Sequence, residues 1–255
     1  MSLEHILLYS GLGLLGLVLG SFYNVVIYRY PAGLSIIRPR SYCPRCRRTL
    51  RSADLIPIFS YLFLRGRCRY CREKIPFRYA AVELAGAAIL IALFWRFGFS
   101  TGFFKYMPIL SLLLIISVID LDIQKIPNLF VALILGWALL WQLFSPALPW
   151  LDALLGLLVG GGATFLVALI SRGGMGGGDI KLLAALGFLA GWRDLLLLLF
   201  VAVLLGAIVG IAMIIIQKKN GKTALPFGPF IAAAYLIALF WGEQIWSFYF
   251  TTILP

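Results

Sequence analysis

Leu195 to Ile216 reads LLLLLFVAVLLGAIVGIAMIII, an apolar run with no charged residue. About 20 such residues cross the hydrocarbon core of a bilayer as a helix, and the run fixes the class of the whole chain. Working outward from it, further stretches with at most one charged residue each run from Leu3 to Tyr28, Ala80 to Trp95, Tyr106 to Ile119, Leu129 to Phe144, Leu151 to Ile170, Ile180 to Ala190 and Leu225 to Trp246. The stretch from Ile180 is short enough to be a partial span. Barrel strands would be shorter and would alternate apolar with polar residues, so helices are expected. The composition agrees: 62% of residues are hydrophobic, 13% are charged and the mean hydropathy is +0.99, far more apolar surface than a soluble core can use. The fold expected is an all-α, polytopic membrane helix bundle of about eight transmembrane helices.

The basic residues orient the bundle. Thirteen of the 22 lie between Arg29 and Arg78, in the one large polar loop, and the positive-inside rule makes that loop cytoplasmic. Counting spans onward puts Lys125, Arg172, Lys181, Lys218, Lys219 and Lys222 on the same side, leaving only Arg96, Lys105 and Arg193 outside. The N- and C-termini are then outside. The first segment starts with Glu4 and His5 in place of a basic cluster and lacks a small-residue exit, so it reads as a permanent anchor and not a cleaved signal. The net charge of +12 serves topology and attraction to anionic membrane lipids, and no nucleic-acid partner is expected. Three parts follow: an N-terminal anchor (1–28), a polar insertion (29–79) and a seven-helix domain (80–255). Gly and Pro punctuate the connections, as at Phe97-Gly98, Ser145-Pro146 and Asn220-Gly221, and the chain carries no tandem repeat of fixed period.

All four cysteines sit in the insertion as two C-x-x-C pairs, Cys43 with Cys46 and Cys68 with Cys71, with 21 residues between them. Such knuckles wrap one tetrahedral Zn2+ through four thiolates, as in a zinc ribbon. Disulfides are the rival pairing, and the reducing cytoplasm together with neighbouring arginines disfavours them. The only histidine is His5, so the site would be closed and structural. A loop of this size has little core of its own, and metal would supply much of its folding energy.

Only ten residues are acidic. Glu4, Asp152, Asp194 and Glu243 fall on the outer face, and Asp54, Glu73 and Glu83 in or beside the loop. Asp120, Asp122 and Asp179 remain, each against a hydrophobic span, where ionisable groups are costly and usually functional. Asp120 ends an inward-running span and Asp179 opens an outward-running one, so both meet the cytoplasmic boundary. Pro127, beyond Asp120, suits the first turn of the next helix. The glycines before Asp179 allow close approach of backbone. Two neighbouring carboxylates sharing a proton are the minimum apparatus of an aspartic protease. Asp179, beside the positive end of a helix dipole, would be the base and Asp120, beside a negative end, the acid. Spacing alone leaves open a capping role for Asp179 and a solvated one for Asp120 or Asp122.

In order and spacing the chain resembles the bacterial type IV prepilin peptidases, within the G-x-G-D membrane aspartyl proteases. The matching pieces are GSFYNVVIYR from Gly20 to Arg29, the two C-x-x-C pairs, DLIPIFSY from Asp54 to Tyr61, Arg78-Tyr79 with Glu83, Asp120 through Pro127, Gly176 through Leu183, and PFGP from Pro226 to Pro229. Ala80 departs from the proline common in relatives, and alanine starts a helix well. The resemblance implies cleavage, after a glycine, of the basic leader of prepilins and pilin-like secretion or competence subunits at the cytoplasmic face of the bacterial inner membrane. The new N-terminal residue is then methylated with S-adenosyl-L-methionine as donor. It maps the catalytic pair to Asp120 and Asp179, with Asp122 the fallback, and associates the tetracysteine insertion with methylation. No Rossmann fingerprint follows a strand, so the donor pocket has no sequence address; Asn24, Arg29 and Glu83 are polar residues near the boundary that could form it. Two other readings are an ion-coupled transporter using the intramembrane carboxylates and a zinc-ribbon recruitment module. Neither the pilus or secretion system served nor the oligomeric state is legible.

Overall fold

The computed structural model describes residues 3–146, 148–170, 175–217 and 225–253. Arg172, Lys218, Lys219, Lys222, the turn at Asn220-Gly221 and glycines 173 and 174 lie outside them. Outside the insertion the described chain is almost wholly helical: α1 (Leu3–Arg29), α2 (Phe59–Phe63, within the insertion), α3 (Arg78–Phe97), α4 (Thr101–Ile123), α5 (Asn128–Phe144), α6 (Trp150–Leu158), α7 (Thr164–Ile170), α8 (Gly177–Gln217) and α9 (Gly228–Phe248). A π-helical turn, Val159–Ala163, joins α6 to α7. No strand longer than an isolated bridge occurs among the described residues.

Six of these segments are long and apolar enough to cross a membrane, counting α6 to α7 as one, and α5 is a shorter apolar helix. The chain is therefore a multi-pass membrane protein. α8 is 41 residues long, about 60 Å at 1.5 Å per residue and so twice a bilayer core. Gly191, at φ 81° and ψ 167°, breaks it, in a region of backbone space that only glycine occupies without strain. The break falls between the short run ending at Ala190 and the long run beginning at Leu195.

The chain packs as two compact units, residues 1–115 and 116–255. In the first, α1 and α3 lie backbone to backbone. A Cβ on Gly20 would stand 2.5 Å from the Cα of Glu83, and one on Gly16 2.5 Å from the Cα of Ala87. Gly16 and Gly20 form a small-xxx-small face, which packs helices in lipid by dispersion where no hydrophobic drive exists. Gly20→Leu has only backbone to push against, so it should cost at least the roughly 1–3 kcal/mol of an overpacked core, read as a lowered melting temperature in detergent.

The insertion contains a repeat that the sequence reading missed. R-S-Y-C-P-R-C-R-R-T-L from Arg40 to Leu50 and R-G-R-C-R-Y-C-R-E-K-I from Arg65 to Ile75 share R-x-x-C-x-x-C-R, and they fold alike. In each, an antiparallel bridge flanks the cysteines (Tyr42 with Thr49, Arg67 with Lys74). Arg47 and Arg72 each take a left-handed φ, 57° and 59°, and each donates its N–H to the carbonyl of the first cysteine.

In the second unit, α8 packs on α5, α6 and α9. Gly156 of α6 and Gly187 of α8 meet so closely that a Cβ on either would strike the other's carbonyl, and Gly160 in the π turn stands in the same way against Leu183.

Candidate active site and metal centre

Asp120 lies in the last turn of α4, 5% exposed, while Asp122 two residues on is exposed. A helix turns 100° per residue, so two residues apart means opposite faces, and Asp120 shares its face with fully buried Ile116. α4 closes at Gln124, whose φ of 52° and N–H bond to the Asp120 carbonyl (2.8 Å) end the helix in a conformation usually left to glycine.

Asp179 is the third residue of α8 and is half-buried. Its carboxylate accepts the N–H of Gly176, so it caps the helix from inside the first turn, whereas a cap residue would precede the helix. Asp120 acts on it by direct charge repulsion, so the two carboxylates are electrostatic neighbours although 59 positions separate them in the chain.

Each carboxylate rests on a glycine. The Gly228 N–H, at the start of α9, donates to Asp120 Oδ2 at 2.8 Å, and a Cβ there would stand 2.9 Å from that oxygen. A Cβ on Gly176 would be 2.9 Å from Asp179 Oδ2; one on Gly178 would meet Ile126 at 2.8 Å; one on Gly177 would meet nothing within 4 Å. Lys181 donates to Asn128 Oδ1 at 3.1 Å, tying α8 to the start of α5. Pro127 sits one residue earlier than expected: extended (φ −67°, ψ 127°), it caps α5 and leaves Asn128 to start it. Gly228 changes the argument from helix ends. Asp120 is beside the negative end of α4 and the positive end of α9 at once, so dipoles do not separate an acid from a base in this pair.

Cys43, Cys46, Cys68 and Cys71 bring their sulfurs within 4.8 Å of one another and can hold a metal ion. All four are free thiols. Burial opposes ionisation of Cys68, but the N–H groups of Cys71 and Tyr70 and the thiols of Cys43 and Cys71 outweigh it and bring it down to about 7. The Glu73 N–H favours the Cys71 thiolate, yet desolvation and the three neighbouring thiols push it up to about 11. One thiolate thus forms readily while a further one beside it is resisted, and a bound cation would relieve that repulsion.

Asn24, Arg29 and Glu83 hold the insertion to the helix ends. Asn24 Nδ2 donates to the Tyr79 carbonyl at 2.9 Å, buried Arg29 donates to the Ser35 carbonyl at 3.0 Å, and Glu83 Oε2 accepts the Ile58 N–H at 2.8 Å.

Residues 14–97 match the bacterial peptidase A24 N-terminal domain, and residues 107–211 match the type IV leader peptidase family. A Bacillus subtilis prepilin leader peptidase/N-methyltransferase is 43% identical over 94% of this chain and 97% of its own length. Proteins of the same name from Pseudomonas putida (36%; 91% of this chain, 90% of the relative) and Legionella pneumophila (31%; 95% and 94%) align as fully. No solved structure matches the chain. The two carboxylates fall inside the second matched region, the four cysteines inside the first, and the chain belongs to the type IV leader peptidase family.

Proposed function

We propose that this protein removes the basic leader from type IV prepilins and pilin-like secretion or competence subunits and methylates the residue it exposes. What supports the reading is the charge repulsion that Asp120 exerts on Asp179 inside a chain of this family. One carboxylate takes a proton from water as its oxygen attacks the scissile carbonyl carbon. The other, protonated, gives its proton to the carbonyl oxygen. As the tetrahedral species collapses, one of its hydroxyls gives a proton to the ionised carboxylate while the protonated one gives its proton to the departing amine and the C–N bond breaks, leaving the pair with one proton again. A transporter would need the acids strung along a pathway, and here both sit at helix ends.

The tetracysteine cluster fits zinc. A tetrahedron with Zn–S bonds near 2.3 Å has edges of about 3.8 Å, and Cys43 Sγ stands 3.9 Å from Cys71 Sγ. Four cysteine sulfurs from two knuckles and no other ligand type describe a closed, structural ion. S-adenosyl-L-methionine would supply the methyl group. The 29–79 insertion faces the cytoplasm and both termini the outside of the inner membrane, a reading supported by the distribution of basic residues.

Incubating the purified protein with a prepilin and S-adenosyl-L-methionine, then weighing the product, tests the reading. A product short of its leader and heavier by one methyl group is expected; an unchanged prepilin mass refutes it. The glycine contacts give a graded test. Gly177→Ala should cleave within about 2-fold of wild type. Gly178→Ala, forced against Ile126, and Gly228→Ala, forced against the Asp120 carboxylate, should each lose about 10-fold or more, since small misplacements of catalytic groups are costly.

A further inference from the structure

The first unit holds a cavity of about 310 Å³ between the insertion and the facing ends of α1 and α3, within the range of small-molecule sites. Resting on the methyltransferase half of the function proposed above, we propose that this cavity is the binding site of the methyl donor, S-adenosyl-L-methionine, with Glu83 as its principal acidic contact.

The lining supplies what a nucleoside carrying an amino acid requires. Val25 and Leu64 offer apolar walls and Tyr61 and Tyr79 aromatic ones for a purine. Carboxylates and cations lie on the same surface, matching a ligand that carries ammonium, carboxylate and hydroxyl groups together. Of the lining carboxylates, Asp54 is committed to Arg69 Nε (2.6 Å) and to the Arg51 N–H, with its side chain 2% exposed. Glu73 is exposed and 4.0 Å from Arg45. Glu83 is different. It is half-buried in the cavity wall, and its oxygens accept from the Ile58 N–H and the Ser21 hydroxyl, two of about four sites a carboxylate offers. Asn24, 6% exposed, lines the cavity and uses Nδ2 on the Tyr79 carbonyl.

The chain between the lining residues Leu55 and Ser60 is held under strain. Ile58 sits at φ 60°, ψ −52°, a marked outlier for a β-branched residue, and the Glu83 carboxylate fastens its N–H. Such strain persists where the surroundings over-determine it, and it clusters at ligand clamps. Cys43 and Cys68 contribute to the same wall, so the metal centre and the cavity share a boundary.

Equilibrium dialysis of radiolabelled S-adenosyl-L-methionine against the full-length protein in nanodiscs tests the proposal, with ultraviolet cross-linking to map the label. Wild type should bind saturably, S-adenosylhomocysteine should compete, and label should fall in peptides covering 21–29 or 54–83. Glu83→Gln should weaken binding about 10-fold or more, the scale of a charge-assisted hydrogen bond. Because that variant also loosens Ile58, Val25→Trp provides a second arm by filling the cavity from α1, with metal content and melting temperature as checks of folding. Wild-type affinity in Val25→Trp, or label confined to other peptides while wild type still methylates, overturns the cavity and leaves the methyltransferase reading standing. Absence of both binding and methyl transfer in wild type removes both.

Discussion

Asp120→Asn and Asp179→Asn should each reduce leader cleavage about 1,000-fold or more, the usual contribution of a positioned acid or base. Asparagine keeps size and shape, and its side-chain oxygen can still accept the Gly228 or Gly176 N–H. It can neither take a proton from water nor hand one to a carbonyl. The variants should therefore fold, bind metal and melt within a few degrees of wild type, which separates chemistry from stability. A capping role for Asp179 gives the reverse pattern: Asn caps nearly as well as Asp, so cleavage would survive. Asp122→Asn, on an exposed position of the helix, should stay within about 3-fold, because surface substitutions away from such sites have small effects. Working activity requires one member of the pair ionised and its neighbour protonated, so the pH–rate profile of wild type should fall on both sides of an optimum.

Replacing Cys43 and Cys46 together by Ser should bring bound metal from one ion per chain to none, read by elemental analysis. A structural Zn2+ is worth about 10–16 kcal/mol in small zinc-finger domains, as much as or more than the total stability of an ordinary domain. The knuckles should then lose their fold, with rapid proteolysis between Arg40 and Ile75 as the readout. Methyl transfer should fail in the same variant, since Cys43 and its fellow ligand Cys68 line the proposed donor cavity. Acid should mimic the substitution, because protons compete with metal for the four sulfurs. One ion per chain persisting in the double variant would place the metal elsewhere.

Apolar run length carried most of the fold. Each stretch predicted to span reappears as helix, and even the short sixth run had a physical counterpart in the break at Gly191. The cysteine spacing likewise located the cluster, since two C-x-x-C turns bring their own sulfurs together locally. What escaped the sequence was set by partners remote in the chain. Gly228 reaches Asp120 from 108 positions away, and a lone glycine before a proline carries no mark of what its N–H will meet. The glycines before Asp179 were readable as permitting close approach; which one meets Ile126, which the carboxylate and which only solvent is decided by packing. The doubled knuckle was legible in principle, because aligning the insertion with itself at an offset of 25 residues superposes both cysteine pairs and their flanking arginines.

Proximity of the two aspartates underlies everything else, and thiol cross-linking measures it without relying on activity. In the Asp120→Cys/Asp179→Cys variant, with the native cysteines kept under metal, a short-spacer bismaleimide applied to membranes should yield a linked peptide pair carrying positions 120 and 179, identified by mass. Both thiols reacting singly with a monofunctional maleimide while that linked pair never forms would mean the two side chains do not meet, and the aspartic mechanism would have no site in this chain.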